Sequence, residues 1–188
     1  MRRDLLVIFQ FLSFLGWLYL LLQLLSDGYR VLNGEPVQAT LVGGPAAPLP
    51  DLAAGVSMGR VGDATVHLAH PAWPQRWLWL AATAPGTLVL MTALILVNIT
   101  VHRARHRGPF TAGTITLLRW TGVVLWTGVA ADLVAENARI ALSEQIGGGS
   151  TNVLVYPVGW IFGGFICFVV AEMIKRGVVL SRELEAVI

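Results

Sequence analysis

Four long apolar runs separated by polar stretches dominate the 188-residue chain. The runs cover residues 5–25, 77–97, about 121–140 and 153–174. Each is roughly 20 residues long, which is the length that a helix needs to cross a hydrocarbon core of about 30 Å. None shows the alternation of barrel strands, so helices are the form that satisfies their backbone polar groups in lipid. The pattern predicts an all-α membrane protein, a single domain over residues 1–188 that forms a four-transmembrane-helix bundle.

The connection between the first two runs, residues 26–76, contains two segments with a different period. Glu35–Val42 (EPVQATLV) and Gly62–Ala69 (GDATVHLA) alternate apolar and polar residues, as half-buried strands do. The breaker-rich sequence GGPAAPLP and a predicted loop at residues 51–60 lie between them. We expect a small extracytoplasmic β-hairpin between helices 1 and 2. The helix ends should support it, because an isolated hairpin is only marginally stable in water.

The placement of cationic side chains predicts the orientation of the helices. Most of the cations flank the runs at the ends that would face one side of the membrane: Arg2, Arg3, Arg103, Arg105, Arg107, Lys175, Arg176 and Arg182. The connection at residues 142–152 has no Lys or Arg. Because short cytoplasmic segments are enriched in these residues, we expect both termini and the central turn in the cytoplasm of a multi-pass cell-membrane protein. The use of arginine in place of lysine, with abundant alanine and glycine, indicates a bacterial source.

Few residues predict chemistry of their own. His102 and His106 are one helical turn apart, but no carboxylate or thiol stands near them in the sequence, and no cysteine or third histidine joins His67 and His70. The single cysteine, Cys167, cannot form an internal disulfide. No nucleophile–base set, metal set or phosphate loop is visible. We therefore expect no enzymatic activity, no metal, no cofactor and no direct binding of nucleic acid.

The charged residues near the end of the third run form the most distinctive cluster. Asp132 and Glu136 are i, i+4 on one helix face, and Glu136 and Arg139 are i, i+3 and can pair. If the span begins near Trp120, Asp132 lies roughly 18 Å into the membrane, where charges are costly and often functional. If it begins near Thr111, the cluster lies at the outer surface. We favour a solvated or structurally paired cluster and keep an intramembrane polar cluster as the alternative.

Two further features predict how the helices are anchored and packed. Trp73, Trp77 and Trp79 are expected to form an aromatic belt at the outer interface. Gly159 and Gly163 form a small-xxx-small step that lets another helix approach closely. We expect that helix to come from the same chain, with a homo-oligomer as the alternative.

Two stretches carry a resemblance to a known family: GPFTAGTITLLRWTG at residues 108–122 and AEMIKRGVVLSRELEAVI at residues 171–188. They resemble a bacterial family of four-helix integral membrane proteins of unknown function. In that family a PF-(S/T) turn with a later Leu-Arg precedes the third span, and a basic-Gly step with a Leu-x-x-Glu-x-Glu tail follows the fourth. The matching residues are Pro109, Phe110, Thr111, Leu118, Arg119, Arg176, Gly177, Leu180, Glu183, Glu185 and Val187.

The resemblance implies a partner but no catalytic residue. Family members are often encoded beside a small Cro-type helix-turn-helix regulator, so the resemblance implies a cytoplasmic partner of that kind. This chain departs from the family pattern at Met173-Ile174-Lys175, where an apolar residue with Phe is common, and it lacks the usual Asn after the PF turn.

Two functional hypotheses follow from the sequence. The first is a non-enzymatic membrane protein that senses or scaffolds by holding a soluble partner on its cytoplasmic face. The residues of that face are Arg103, Arg105, Arg107, Pro109, Phe110, Arg119, Arg176, Gly177, Glu183 and Glu185. The second is an accessory subunit of a larger membrane complex, or a small transporter, that uses Asp132, Glu136 and Arg139. The lipid bilayer surrounds the chain in both.

Overall fold

Four long helices make up most of the chain that the computed structural model describes, which is residues 2–40, 56–58, 65–107, 111–146 and 157–185. They are α1 (Arg2–Asn33), α2 (Trp73–Arg107), α3 (Ala112–Gln145) and α4 (Val158–Glu185). All four are long and apolar enough to cross a membrane, which confirms a multi-pass membrane protein. The helices are about 40–50 Å long, against about 30 Å for a hydrocarbon core, so each continues past its predicted span. The start of the fourth predicted span, residues 153–156, lies outside the described residues.

Threonine side chains within the apolar helices are satisfied by the helices themselves. The hydroxyls of Thr83, Thr92, Thr100 and Thr121 each donate to the carbonyl oxygen four residues earlier, over 2.7–3.1 Å. Lipid offers these groups no water, so the intrahelical hydrogen bonds let polar residues remain inside an apolar segment. The scattered threonines are therefore compatible with continuous helices.

The helices contribute to two compact units. Unit 1 comprises Met1–Leu21, Leu88–Val129 and Pro157–Ile188, and unit 2 comprises Leu22–Thr87 and Ala130–Tyr156. Unit 1 contains segments of all four helices, whereas unit 2 combines a small sheet with segments of α1, α2 and α3. The basic segment at the end of α2, residues 102–107, belongs to unit 1. The charged cluster of α3, which is Asp132, Glu136 and Arg139, belongs to unit 2.

Three short strands form an antiparallel sheet in unit 2. They are β1 (Val37–Thr40), β2 (Val56–Met58) and β3 (Thr65–Leu68). β3 is central, with Leu68 opposite Val37 of β1 on one side and Val56 of β2 on the other. The two predicted strands are present in their central residues, but the sheet is not a simple hairpin, because β2 replaces part of the predicted loop. A three-residue strand is too short to show a period of two, which explains why the pattern does not reveal β2.

Apolar side chains from the helix ends and the sheet form the core of unit 2. They are Val31, Val37, Leu68, Trp79, Leu142 and Ile146. Trp79 is 8 % exposed, and its indole Nε1 donates to the Gln38 carbonyl oxygen over 2.9 Å. The prediction that Trp79 belongs to the aromatic belt is therefore wrong. Trp73 and Trp77 are exposed and share one helix face at i, i+4, whereas Trp79, two residues further on, points away from that face.

A glycine and an arginine fix the chain where it leaves α1. Gly34 has φ 68°, the left-handed conformation that commonly ends helices, and the Glu35 amide donates to the Arg30 carbonyl oxygen over 3.1 Å. Arg76 covers this turn and donates from Nε to the Pro71 carbonyl oxygen over 2.9 Å. A Cβ at Gly34 would collide with the Arg76 guanidinium. Both the backbone conformation and this close approach require glycine here.

Candidate functional site

Polar contacts join the basic segment at the end of α2 to the first part of α1, within unit 1. Arg105 Nη1 donates to Gln10 Oε1 over 3.0 Å, and Gln10 Nε2 donates to Asn98 Oδ1 over 3.4 Å. Further along, a Cβ on Gly16 would lie 3.6 Å from Leu94. The start of α1 therefore runs antiparallel beside the end of α2. Gln10 escapes the sequence-based prediction, although an amide inside an apolar run is itself a signal for a polar contact in a membrane.

The two histidines of the basic segment contact each other. The rings of His102 and His106 have centroids 4.6 Å apart, as their i, i+4 spacing predicts. Both residues are exposed. Within the parts of the chain that the structure describes, no group of three or more His, Cys, Asp or Glu side chains is placed to hold a metal ion.

The start of α3 lies beside the basic segment. Thr111 caps the helix: the Thr114 amide donates to Thr111 Oγ1 over 3.3 Å, and the two hydroxyls are 2.9 Å apart. A Cβ on Gly113, in the first turn, would lie 3.5 Å from Arg103 Nη1. A guanidinium at the positive end of a helix dipole is the reverse of the stabilising arrangement. The electrostatic potential around Arg103 and the first turn of α3 is therefore strongly positive.

An ion-pair network connects α3 to α4 in the same unit. Glu172 of α4 lies 3.5 Å from Arg119 Nη2 and 3.5 Å from Lys175 Nζ. Arg119, predicted as part of the partner-binding face, is thus engaged within the chain. The three side chains are 44–55 % exposed, and pairs this exposed stabilise a protein by only about 0–1 kcal/mol. The network orients these side chains more than it stabilises the fold.

The exposed members of the predicted partner-binding face share one unit. Apart from Arg119, which pairs with Glu172, they are Arg103, Arg105, Arg176 and Glu183, hereafter the basic end. The neighbouring helices are antiparallel, so the end of α2, the start of α3 and the end of α4 lie on the same side of unit 1. Gly177 is half-buried on α4. Pro109 and Phe110 lie outside the described residues, and so do the side chains of Arg107 and Glu185.

Glycines allow the backbones of α3 and α4 to approach each other in unit 1. A Cβ on Gly164 would collide with the Trp126 indole and lie 2.9 Å from the Gly122 carbonyl oxygen. A Cβ on Gly163 would lie 3.4 Å from a side chain of α3, which is an ordinary contact, and one on Gly159 would meet no described atom within 4 Å. Of these three glycines of α4, Gly164 therefore lies closest to α3; it is next to the predicted Gly163 and more than a full turn from Gly159.

The charged cluster of α3 lies in unit 2. Arg139 Nη1 is 3.3 Å from Glu136 Oε2, which confirms the predicted i, i+3 pair, and Arg139 Nη2 donates to the Ala82 carbonyl oxygen of α2 over 3.5 Å. The Glu136 side chain is only 13 % exposed, against 46 % for Arg139. Asp132 is half-buried one turn earlier. Glu136 is therefore a paired and largely buried carboxylate.

One oxygen of this carboxylate is unsatisfied. Among the described residues, Glu136 Oε1 is buried and accepts no hydrogen bond. A buried polar atom without a partner costs about 1–3 kcal/mol. Arg139 thus offsets only part of the cost of burying Glu136, and the pair is sensitive to any change at Arg139.

The chain matches no protein-family model, no curated protein and no solved structure in comparisons with known proteins. Its function is inferred from its own residues and contacts.

Proposed function

We propose that this chain is a non-enzymatic multi-pass membrane protein that senses or scaffolds by holding a soluble partner at its basic end. The excess of arginine there assigns the basic end to the cytoplasm by the positive-inside bias. In a bacterial cell membrane this orientation leaves both termini in the cytoplasm.

The observation that carries the proposal is the length of three helices at the basic end. α2 continues to Arg107, α3 begins at Ala112 and α4 continues to Glu185. Each helix passes its predicted span by roughly ten residues, or about 15 Å. Helical segments of this length outside the hydrocarbon provide an ordered surface in the aqueous phase. Such a surface suits a soluble partner better than a solute.

The exposed side chains of the basic end favour a partner with an acidic surface. Arg103, Arg105 and Arg176 are exposed cations, and opposite charges on two proteins steer their encounter and fix its register. The family resemblance implies a small helix-turn-helix regulator as the partner. The surface of such a regulator that meets the basic end would be an acidic one, because a DNA-binding face is itself basic.

Photo-cross-linking from α4 tests the proposal. A photoreactive residue at exposed Val179 of the full-length chain, in its native membrane, should capture a soluble protein. Arg176→Glu should reduce the yield about tenfold or more, because like charges across an interface cost several kcal/mol. The yield is measured by mass spectrometry of the cross-linked species.

Phe162, exposed on the apolar part of the same helix, supplies the matched control. A photoreactive residue there should capture no soluble protein. A yield from Val179 that Arg176→Glu does not change would show that the contact does not use the basic end, and the proposal would fail.

The burial of Glu136 favours a second candidate function. This is an accessory subunit of a larger membrane complex, or a small transporter, that uses Asp132, Glu136 and Arg139. A carboxylate that is 13 % exposed and has an unsatisfied oxygen is the kind of group that marks ion and proton paths in membrane helices.

Flux through proteoliposomes tests the transporter. Asp132→Asn should abolish proton or solute flux by the purified chain, because it removes the charge next to the buried pair. Glu144→Gln, at an exposed carboxylate further along α3, should leave the flux unchanged. Absence of flux from the unmodified chain would exclude the transporter and leave the accessory subunit, which co-purification of a membrane complex would then have to support.

A further inference from the structure

A groove of about 400 Å³ runs between α1 and α2 in unit 1, and its chemistry changes along its length. The polar end is lined by Gln10, Asn98, His102 and Arg103. About 10 Å further along the helices, the groove becomes apolar. Its lining there consists of Phe14, Trp17, Leu94 and Ile95. A ligand that fills the groove must therefore have a polar and an apolar end.

The charges at the polar end of the groove favour the binding of an anion. Arg103 is exposed and lies against Gly113 in the first turn of α3, so a full positive charge and the positive end of a helix dipole reinforce each other. No carboxylate among the described residues pairs with Arg103. Arg105 adds a second guanidinium, held nearby by its hydrogen bond to Gln10. An anion placed here would relieve the unfavourable contact between Arg103 and the start of α3.

A second hollow adjoins the groove along α1. This hollow of about 280 Å³ shares Gln10, Phe14 and Asn98 with the groove and adds Val7 and Phe11. The hydrogen bond between Gln10 and Asn98 therefore borders both hollows. Val7, Phe11 and Phe14 thus form an apolar wall along α1 beside Gln10, Arg103 and Arg105. An apolar wall next to two cations suits the acyl part and the phosphate of an anionic lipid.

We propose that this groove binds one anionic phospholipid from the leaflet at the basic end. The headgroup phosphate meets Arg103, and the acyl part of the lipid lies along the groove beside Phe14 and Leu94. The site shares Arg103 and Arg105 with the basic end, whereas Arg176 and Glu183 of α4 do not line the groove. Arg103→Gln therefore tests the lipid site, and Arg176→Glu tests the holding of a soluble partner. Loss of one arginine contact to an anionic lipid should reduce the preference over a zwitterionic lipid about fivefold.

Trp17 lines the groove and can report on its occupant. Its indole Nε1 has no hydrogen-bond partner among the described residues, so Trp17→Phe removes the fluorophore without breaking a described hydrogen bond. The difference in fluorescence between the full-length chain and Trp17→Phe isolates this indole. The chain is placed in mixed bilayers in which either phosphatidylglycerol or phosphatidylcholine has brominated acyl chains. Brominated phosphatidylglycerol should quench Trp17 several-fold more effectively than brominated phosphatidylcholine at equal content.

Three variants distinguish binding of anionic lipid in the groove from a general attraction of anionic lipid to the cationic surface of the protein. Arg103→Gln should remove most of the preference for phosphatidylglycerol, and Arg103→Lys should retain it, which also excludes misfolding as the cause. Lys175→Gln removes an exposed cation of unit 1 that does not line the groove, and it should leave the preference unchanged. A preference that survives Arg103→Gln, or that falls equally in Lys175→Gln, would overturn the proposal.

Other occupants of the groove give different results. Reversal of the quenching by inorganic phosphate in the buffer would assign the polar end of the groove to a soluble anion and overturn the lipid site. Failure of both brominated lipids to quench Trp17 would mean that protein covers the groove, which would overturn it as well.

Discussion

Gly164→Leu should lower the free energy of unfolding by about 3 kcal/mol, at the upper end of the usual cost of overpacking. The new side chain would occupy the position of the Trp126 indole and press against the Gly122 carbonyl oxygen, which belongs to the backbone and cannot rotate away. Trp126 Nε1 also donates to the Ile161 carbonyl oxygen over 3.4 Å, and this bond would be lost as α3 and α4 separate. Denaturant-induced unfolding in detergent micelles, followed by circular dichroism, measures the change.

Gly159→Leu is the matched control on the same helix. No described atom lies within 4 Å of a Cβ at Gly159, so this variant should change the free energy of unfolding by no more than about 0.5 kcal/mol. Equal destabilisation by the two variants would mean that leucine disturbs α4 itself. The contact with α3 would then not be the reason that residue 164 is glycine.

Arg139→Met should lower the free energy of unfolding by about 2 kcal/mol, because it removes the donor from a buried carboxylate that already has one unsatisfied oxygen. Glu136→Gln/Arg139→Met should cost less than Arg139→Met alone, since glutamine carries no charge that needs a partner. Methionine retains much of the apolar stem of arginine, so packing changes little. The same unfolding titration compares the unmodified chain with these two variants.

Arg30→Met provides a comparison within unit 2. Arg30 and Glu35 are 4.0 Å apart and 49 % and 45 % exposed, and such a pair is worth about 0–1 kcal/mol. If Arg139→Met destabilises the chain no more than Arg30→Met, the Glu136 carboxylate is reached by water and does not need Arg139 as a partner.

The helices could be predicted from the sequence, but their ends could not. A helix that crosses the lipid needs an apolar surface over about 20 residues. This requirement is visible in the sequence as a long run of apolar residues. Beyond the predicted spans, residues 26–33 and 98–107 stay helical although many of them are polar. Hydropathy does not report this part of the structure, because packing and capping decide where a helix stops.

Contacts within one helix were also predictable, whereas contacts between helices were not. Glu136 and Arg139 are three residues apart, and helical geometry alone brings them together. Arg105 meets Gln10 across 95 residues of sequence, and the preference of α3 for Gly164 over Gly159 depends on which face of α4 it meets. The groove between α1 and α2 arises from such long-range contacts, and so no sequence motif predicts it.

The order of the strands in the small sheet determines when, during synthesis of the chain, the sheet can form. β3 is the last strand to be synthesised and the one with which both others pair, while β1 and β2 do not pair with each other. A nascent chain that ends after β2 therefore contains two strands but no sheet. The apolar core beside the sheet is completed later still, because Leu142 lies at the far end of α3 and Ile146 directly follows that helix. The sheet can therefore rest on a complete core only after the first three helices have been synthesised and have come together.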